Sequence, residues 1–499
     1  MKKALVVILG VLMAVMFAAE SYAAVEVGGT IDVRGRWREN NNDLNNDGSP
    51  TGTANGSTAY WEEKVNIWVD AKIQEGLKGY VELQSGSANA CNSGATGKGW
   101  MQMGTTGTDC QVGAGTGTGR GNTDAAPNSM FNENRGLGYM EIRYAYIDFM
   151  IPGAPVGIKI GHMPVIVGHS IWADTKIWGS DGLMIYAVPI KELMIALGTI
   201  KGVETASSTD RSDIDMYGLH VLFTFMPKNS VGLNINYLLK TGDGNVTPAL
   251  GQADMKFWNV MLTADGALDF GLGYKFEVDK QFGKLNDTEV AGVADATGSG
   301  FAFLLGVDFK IADIAKVGFD AAYGSGDKCE RWASAAPVTG TACATTVVDG
   351  HTGFGDKVQG YVNFNDYGYT MIYEDIVGQK TSATTLGTTG AYSGSRATDF
   401  GIWNTMYAKL GASVTPLKDM SVGLDFYYLR AVKENYYNQK KNIGMEFDLN
   451  FGYNIYKNLK WTFLAGYFLP GNHYKEIAAT DSIKDDAAWA FEQKLSLKF

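Results

Sequence analysis

Three arginines stand at alternate positions near the start of the chain, Arg34, Arg36 and Arg38, with Ile31, Val33, Gly35 and Trp37 between and before them. On a strand alternate residues share a face about 6.6 to 7 Å apart, so the three guanidinium groups would line one side and the apolar residues the other. A guanidinium stays charged at any working pH. Joined by Glu141 and Arg143 on a later strand, the three would form rows of fixed charge, able to order water and filter solutes inside a ring. The plainer alternative is that any wet interior needs polar side chains.

Asp43-Leu44-Asn45-Asn46-Asp47-Gly48 has the opening of a calcium loop, with oxygens on Asp43, Asn45 and Asp47 and a glycine for the turn. Ala54 occupies the twelfth position, where a full loop carries glutamate, so an Asn/Asp-rich turn accounts for the stretch more simply. The four cysteines fall as Cys91/Cys110 and Cys329/Cys343, each pair within one expected long connection. In an exported chain that arrangement predicts two disulfides that shorten the loops. No CxxC or CxxCH is present, so covalent haem is not indicated. His162, His169, His220, His351 and His473 are scattered, and neither GxSxG nor HExxH occurs. No set of nucleophile, histidine and acid can be nominated, so no enzyme is expected and no cofactor beyond that calcium.

These residues need elements to hold them. Residues 1–23 read as a secretory signal peptide: Lys2 and Lys3, an apolar run from Ala4 to Ala19, and the small ending Ser21-Tyr22-Ala23. Cleavage after Ala23 removes Lys2, Lys3 and Glu20. Of the 42 basic and 53 acidic residues it leaves 40 and 52, a charge of about −12, which argues against nucleic acid as a partner. Past the leader no apolar run reaches the ~18 residues of a spanning helix. The 63 glycines, 25 tyrosines, 23 phenylalanines and 11 tryptophans against 11 prolines point to an all-β chain rich in turns.

About eighteen runs alternate apolar and polar residues, from 25–38 and 60–73 through 138–151, 156–163, 267–281 and 441–456 to 487–499. Their connections alternate between tight ones (Glu75-Gly76, Pro152–Pro155, Pro227–Asn229, Pro416–Asp419, Lys457-Asn458) and long ones rich in Gly, Asn and Thr. In the closing run Phe491, Gln493, Leu495, Leu497 and Phe499 oppose Glu492, Lys494, Ser496 and Lys498. Lipid offers no hydrogen bonds, so such a strand persists in a membrane only when both edges are paired, which demands a ring closed with the first strand. The expected fold is a transmembrane antiparallel β-barrel of about 18 strands over residues 24–499, one unit with long loops on its outer side. A soluble sandwich would put the charged faces outside, but explains neither the closing strand nor the alternation of turns and loops. Residues 325–399 are too long for a bare connection. Within them Lys357 to Gly378 reads either as an extra hairpin, raising the count to about 20, or as a loop folded inside.

Three stretches, GRWREN at the first strand, GHMPVIVGHSIWADTKIWGSDG around the fifth and sixth, and IGMEFDLNFGYNIYKNLKWTFLAGYFLPG before the closing strand, resemble the alginate-export-like porin family of outer-membrane channels. The likeness runs from about residue 28 to the C-terminus. It implies a monomeric 18-stranded channel in the outer membrane of a Gram-negative-type bacterium, surrounded by lipid and inserted by the barrel-assembly machinery. Small hydrophilic or charged solutes would pass it passively. His162 stands where relatives are expected to carry arginine. The rival expectation is a sheath around a multihaem cytochrome that carries electrons across the membrane.

Overall fold

The computed structural model describes residues 24–40, 58–85, 100–102, 140–176, 179–203, 214–240, 254–287, 296–326, 347–348, 351–352, 357–358, 361–362, 368–373, 402, 404–433, 440–473 and 485–499. Eighteen long strands form one closed antiparallel ring. In chain order they are β1 (Ala24–Glu39), β2 (Thr58–Gln74), β3 (Leu77–Ser85), β4 (Met140–Met150), β5 (Val156–Met163), β6 (Ser180–Ile190), β7 (Leu193–Val203), β8 (Ile214–Met226) and β9 (Asn229–Lys240). The second half comprises β10 (Asp254–Ala267), β11 (Leu272–Asp287), β12 (Phe301–Ile311), β13 (Ala315–Gly324), β14 (Thr405–Leu417), β15 (Met420–Ala431), β16 (Asn442–Tyr456), β17 (Leu459–Pro470) and β18 (Ala488–Lys498).

Each strand pairs with its chain neighbours, and the seam runs from Thr30↔Lys498 to Glu39↔Trp489. Gly29 and Phe499 extend it by exchanging both backbone hydrogen bonds, at 2.9 and 3.0 Å. A side chain on Gly29 would collide with the Phe499 ring. Strand β13 pairs directly with β14, from Ala315↔Val414 to Tyr323↔Met406, so residues 325–399 add no spanning strand between them. Of the two sequence alternatives for Lys357 to Gly378, the described residues 361–362 and 368–373 fit the loop folded inside.

The outer face is apolar. Ile67, Val81, Ile147, Ile160, Ile185, Leu197, Leu262, Leu305, Leu410, Leu424, Leu449 and Leu495 are all exposed there. Toward the short-turn end Phe223, Phe225, Phe270, Phe309, Tyr453, Tyr456 and Phe499 are exposed as well, and toward the other end Tyr217, Trp258, Phe282 and Tyr467. An apolar band flanked by aromatic residues is what lipid demands of a spanning barrel. A soluble sheet would bury this face, so the inside–outside pattern rules out the sandwich alternative. Among the described residues no helix is long and apolar enough to cross a membrane.

The lumen as candidate functional site

The inner wall divides into two arcs. On the first, formed by β18 and β1 to β4, the three arginines point inward as their spacing predicts. Arg34 Nε lies 2.6 Å from Glu62 Oε2 on β2, the residue directly opposite it. Its Nη1 lies 3.5 Å from Glu492 on β18, and Arg36 Nε lies 3.1 Å from the same carboxylate. The guanidinium of Arg34 also stacks on Trp100, 3.7 Å from the ring centroid. Arg36 and Arg38 are both buried. The row is therefore part of a packed band of alternating charge.

Arg143 joins this band through a β-bulge. Glu82 pairs with Tyr144 and Leu83 with Ile142, which leaves Arg143 as the extra residue. A bulge lets a strand turn two successive side chains to one side. Arg143 uses it to bind Glu82 at 2.7 Å and the carbonyl of Lys176 at 2.7 Å, while Tyr144 donates to that carbonyl too. Glu141 sits opposite the buried Gln84, on the same inner face. Glu62, Glu82 and Glu492, which complete the band, were not singled out from sequence. Their signal was available as acids at inward positions of strands whose cross-strand neighbours are basic.

The second arc, β10 to β17, holds two inserted pieces of chain. The first is the connection between β5 and β6, where Ile166–Val167 and Ala173–Asp174 pair as a small hairpin. Val167, Ile171 and Trp172 are fully buried with Phe257 and Met261. At its tip the His169 backbone N–H donates to Glu277 of β11. Gly168 has φ 57°, and any side chain there would strike Glu277 and Met261, so glycine lets the backbone approach the wall.

The second piece contains Tyr361–Val362 and Gly368–Tyr373. Tyr361 donates its hydroxyl to Asp279 of β11, and Val362 exchanges two hydrogen bonds with the Gln281 amide, at 2.7 and 2.8 Å. Burial, with Asp279 and Glu277 adjoining, pushes the Tyr361 hydroxyl well above its ordinary pKa, so it stays protonated and donates. Further along, Ile372 and Tyr373 direct their backbone N–H groups at the two oxygens of Glu446 on β16, at 2.6 and 2.9 Å. Met371 N–H reaches Asp448 at 3.2 Å. Tyr369 stacks on Tyr407 with centroids 4.4 Å apart, and Ile372 is fully buried. Two E-x-D pairs, Glu277/Asp279 and Glu446/Asp448, thus anchor the inserted chain. Both were legible as inward acids on alternating strands, but their task was not, because their partners are backbone groups distant in sequence.

His162 faces outward with Ile160, paired to Asp181 at 2.8 Å, so it belongs to the outer surface and not to the pore wall. The expected calcium loop at Asp43, Asn45 and Asp47, the cysteines Cys91, Cys110, Cys329 and Cys343, and the leader 1–23 lie outside the described residues.

No protein-family model and no curated protein sequence matches the chain. Solved structures do. OccK2 (OpdF) of Pseudomonas aeruginosa, crystallised with glucuronate, aligns with a TM-score of 0.52 at 9% identity over 95% of this chain and 98% of its own. OpdK with vanillate, from the same organism, aligns at 0.48 with 8% identity over 95% and 98%, and OccK3 (OpdO) at 0.48 with 10% identity over 95% and 96%. At such identities the likeness concerns architecture alone, and only the first is close enough to bear on it. The chain therefore shares the architecture of outer-membrane porins, a closed barrel of 18 antiparallel strands.

Proposed function

We propose that the chain is an outer-membrane channel through which small hydrophilic or charged solutes diffuse passively. The observation that carries this reading is the division of the lumen. Its own chain packs against β10 to β17, while the arc from β18 to β4 presents paired Arg and Glu side chains. A path along that arc passes fixed charges set in a low-dielectric wall, where fields are focused more than in open water. Arg34, Arg36, Arg38, Glu141 and Arg143 are the proposed filter. OccK2, crystallised with glucuronate, supports small carboxylate-bearing solutes as a first class to try.

Placement in the alginate-export-like group is part of the proposal and rests on the three sequence stretches. Insertion by the barrel-assembly machinery is likewise part of it and rests on the closing strand. A cytochrome sheath is the weaker reading, because an enclosed partner needs a clear bore and the inserted segments occupy part of this one. Transport, not catalysis, is the role assigned. Single-channel recording of the purified barrel in a planar bilayer, with reversal potentials in a salt gradient, tests the proposal. Discrete conductance steps are expected, and a folded barrel that remains electrically silent counts against it.

A further inference from the structure

The inner wall from β6 to β8 differs from the rest of the lumen. Toward the bore these strands present Met184, Met194, Ala196, Ile200, Met216 and Leu222. Their charged residues, Asp181, Lys201 and Asp215, are cross-strand neighbours on the opposite face, in phase with the outward Ile185, Leu197 and Tyr217. A barrel interior is ordinarily polar, so an uncharged, methionine-lined stretch of it marks a place where an apolar body can sit.

The 166–174 hairpin roofs this stretch. Its root leaves the ring between Met163 of β5 and Ser180 of β6, and its tip reaches Met261 of β10 and Glu277 of β11. It therefore lies as a chord across β6 to β9. Beneath it is a cavity of about 380 Å³, with Met163, Val165 and Ile166 on the chord side and Met184, Met194 and Met216 on the wall side. Gly198 and Gly218, directly paired, leave bare backbone in its floor. An apolar cavity of about 150 Å³ is enough for one benzene, so this one accommodates a substituted ring. Thioethers are adaptable and make favourable contacts with aromatic rings.

A hydrogen-bond acceptor faces the same space. His220 Nδ1 donates to Asn234 Oδ1, and the Asn234 amide nitrogen turns to Met261 Sδ at 3.5 Å. With its proton on Nδ1, the neutral ring keeps a lone pair on Nε2. Nε2 reaches over Gly218, where a Cβ would come within 3.0 Å of it, and both residues line the cavity. Among the described residues no donor meets Nε2. The cavity's charged residues are one of each sign and both are engaged: the Lys159 ammonium lies 4.1 Å from the centre of the Tyr146 ring, and Asp265 faces His169 at 3.4 Å.

We propose that this cavity binds a small uncharged aromatic alcohol of the phenol class, its ring among the methionines and its hydroxyl donating to His220 Nε2. An aromatic carboxylate fits worse, because its charge would lose water among thioethers without a cation set to receive it. The site is distinct from the arginine band and stands whether or not the barrel conducts.

Equilibrium dialysis of phenol against the purified full-length barrel should show one saturable site per chain. Gly198→Met should abolish that site while keeping the yield of heat-modifiable barrel. A Cβ at Gly198 comes no nearer than 3.4 Å to any neighbour, so the new side chain grows into the cavity without moving the wall. His220→Phe, which keeps a flat ring and removes the acceptor, should weaken phenol about tenfold, the order of one hydrogen bond, and leave toluene unchanged. The wild-type barrel should prefer phenol to both toluene and benzoate at neutral pH, a comparison that needs no variant to fold. Absence of a saturable phenol site, or one that Gly198→Met leaves intact, would overturn the proposal. Toluene or benzoate held as tightly as phenol would overturn the ligand class and leave only a greasy or an anion-binding hollow.

Discussion

The two arcs of the lumen use the same kind of residue, an inward acid on a strand, in opposite ways. Near the seam Glu62, Glu82 and Glu492 meet guanidinium groups and remain part of a charged wall. Across the barrel Glu277, Asp279, Glu446 and Asp448 meet backbone N–H groups and a tyrosine hydroxyl, and so hold pieces of chain in place. Which role an acid takes is decided by what arrives in front of it. A cation on the next strand leaves a permeation surface, whereas a loop with unpaired N–H groups becomes a fixed constriction. A carboxyl group suits the second task because its two oxygens can accept from two backbone N–H groups at once, as Glu446 does.

The most damaging way to break this contrast is Glu446→Ala. It strips the acceptor from two buried N–H groups, each worth about 1–3 kcal/mol when left unsatisfied. Release of the 368–373 segment should raise single-channel conductance severalfold and add flicker; an unchanged trace would show that aromatic packing around Tyr369 and Ile372 holds the segment alone.

Replacing Arg34, Arg36 and Arg38 together by Gln attacks the other arc. It leaves the buried Glu62, and Glu492 beside it, without these cations. Breaking a buried pair by removing one partner costs about 3–5 kcal/mol, less here because Arg34 retains some contact with water. Reversal potentials at low salt should move toward cation preference, and the added changes Glu62→Gln and Glu492→Gln should restore both folding yield and selectivity. Reversal potentials that stay put at or below about 0.1 M salt, where the Debye length is still about 10 Å or more, would reduce the band to wet lining.

Phe499 tests the seam that the charged arc straddles. Phe499→Asp should lower the yield of heat-modifiable barrel, because its ring covers Gly29 and it sits in the aromatic band of the outer face. Normal yield would show that the backbone pairing of β1 with β18 suffices. His162→Ala should do least, shifting neither conductance nor selectivity beyond error, since His162 and Asp181 pair outside the pore. A changed permeability ratio would contradict that placement.

Period-2 patterning fixed the ring and the inward direction of Arg34, Arg36, Arg38, Glu446 and Asp448, because a one-residue slip would turn every side chain to the wrong solvent; the choice between about 18 and about 20 strands waited on the direct pairing of β13 with β14. Turn chemistry fixed which connections are tight, at Glu75-Gly76 and Lys457-Asn458 for example, because strand pairing there is local. Residues that meet across the ring were not legible. Glu492 reaches Arg36 only once the barrel closes, and His169 finds Glu277 more than a hundred residues away. The bulge that puts Tyr144 on the inner face beside Arg143 depends on a register that neither strand encodes alone. Local sequence thus determined the wall, since every strand must satisfy lipid on one face and water on the other. Tertiary structure alone decided the bore, because what fills a lumen is set by long-range contacts between loops and wall that leave no period in the chain.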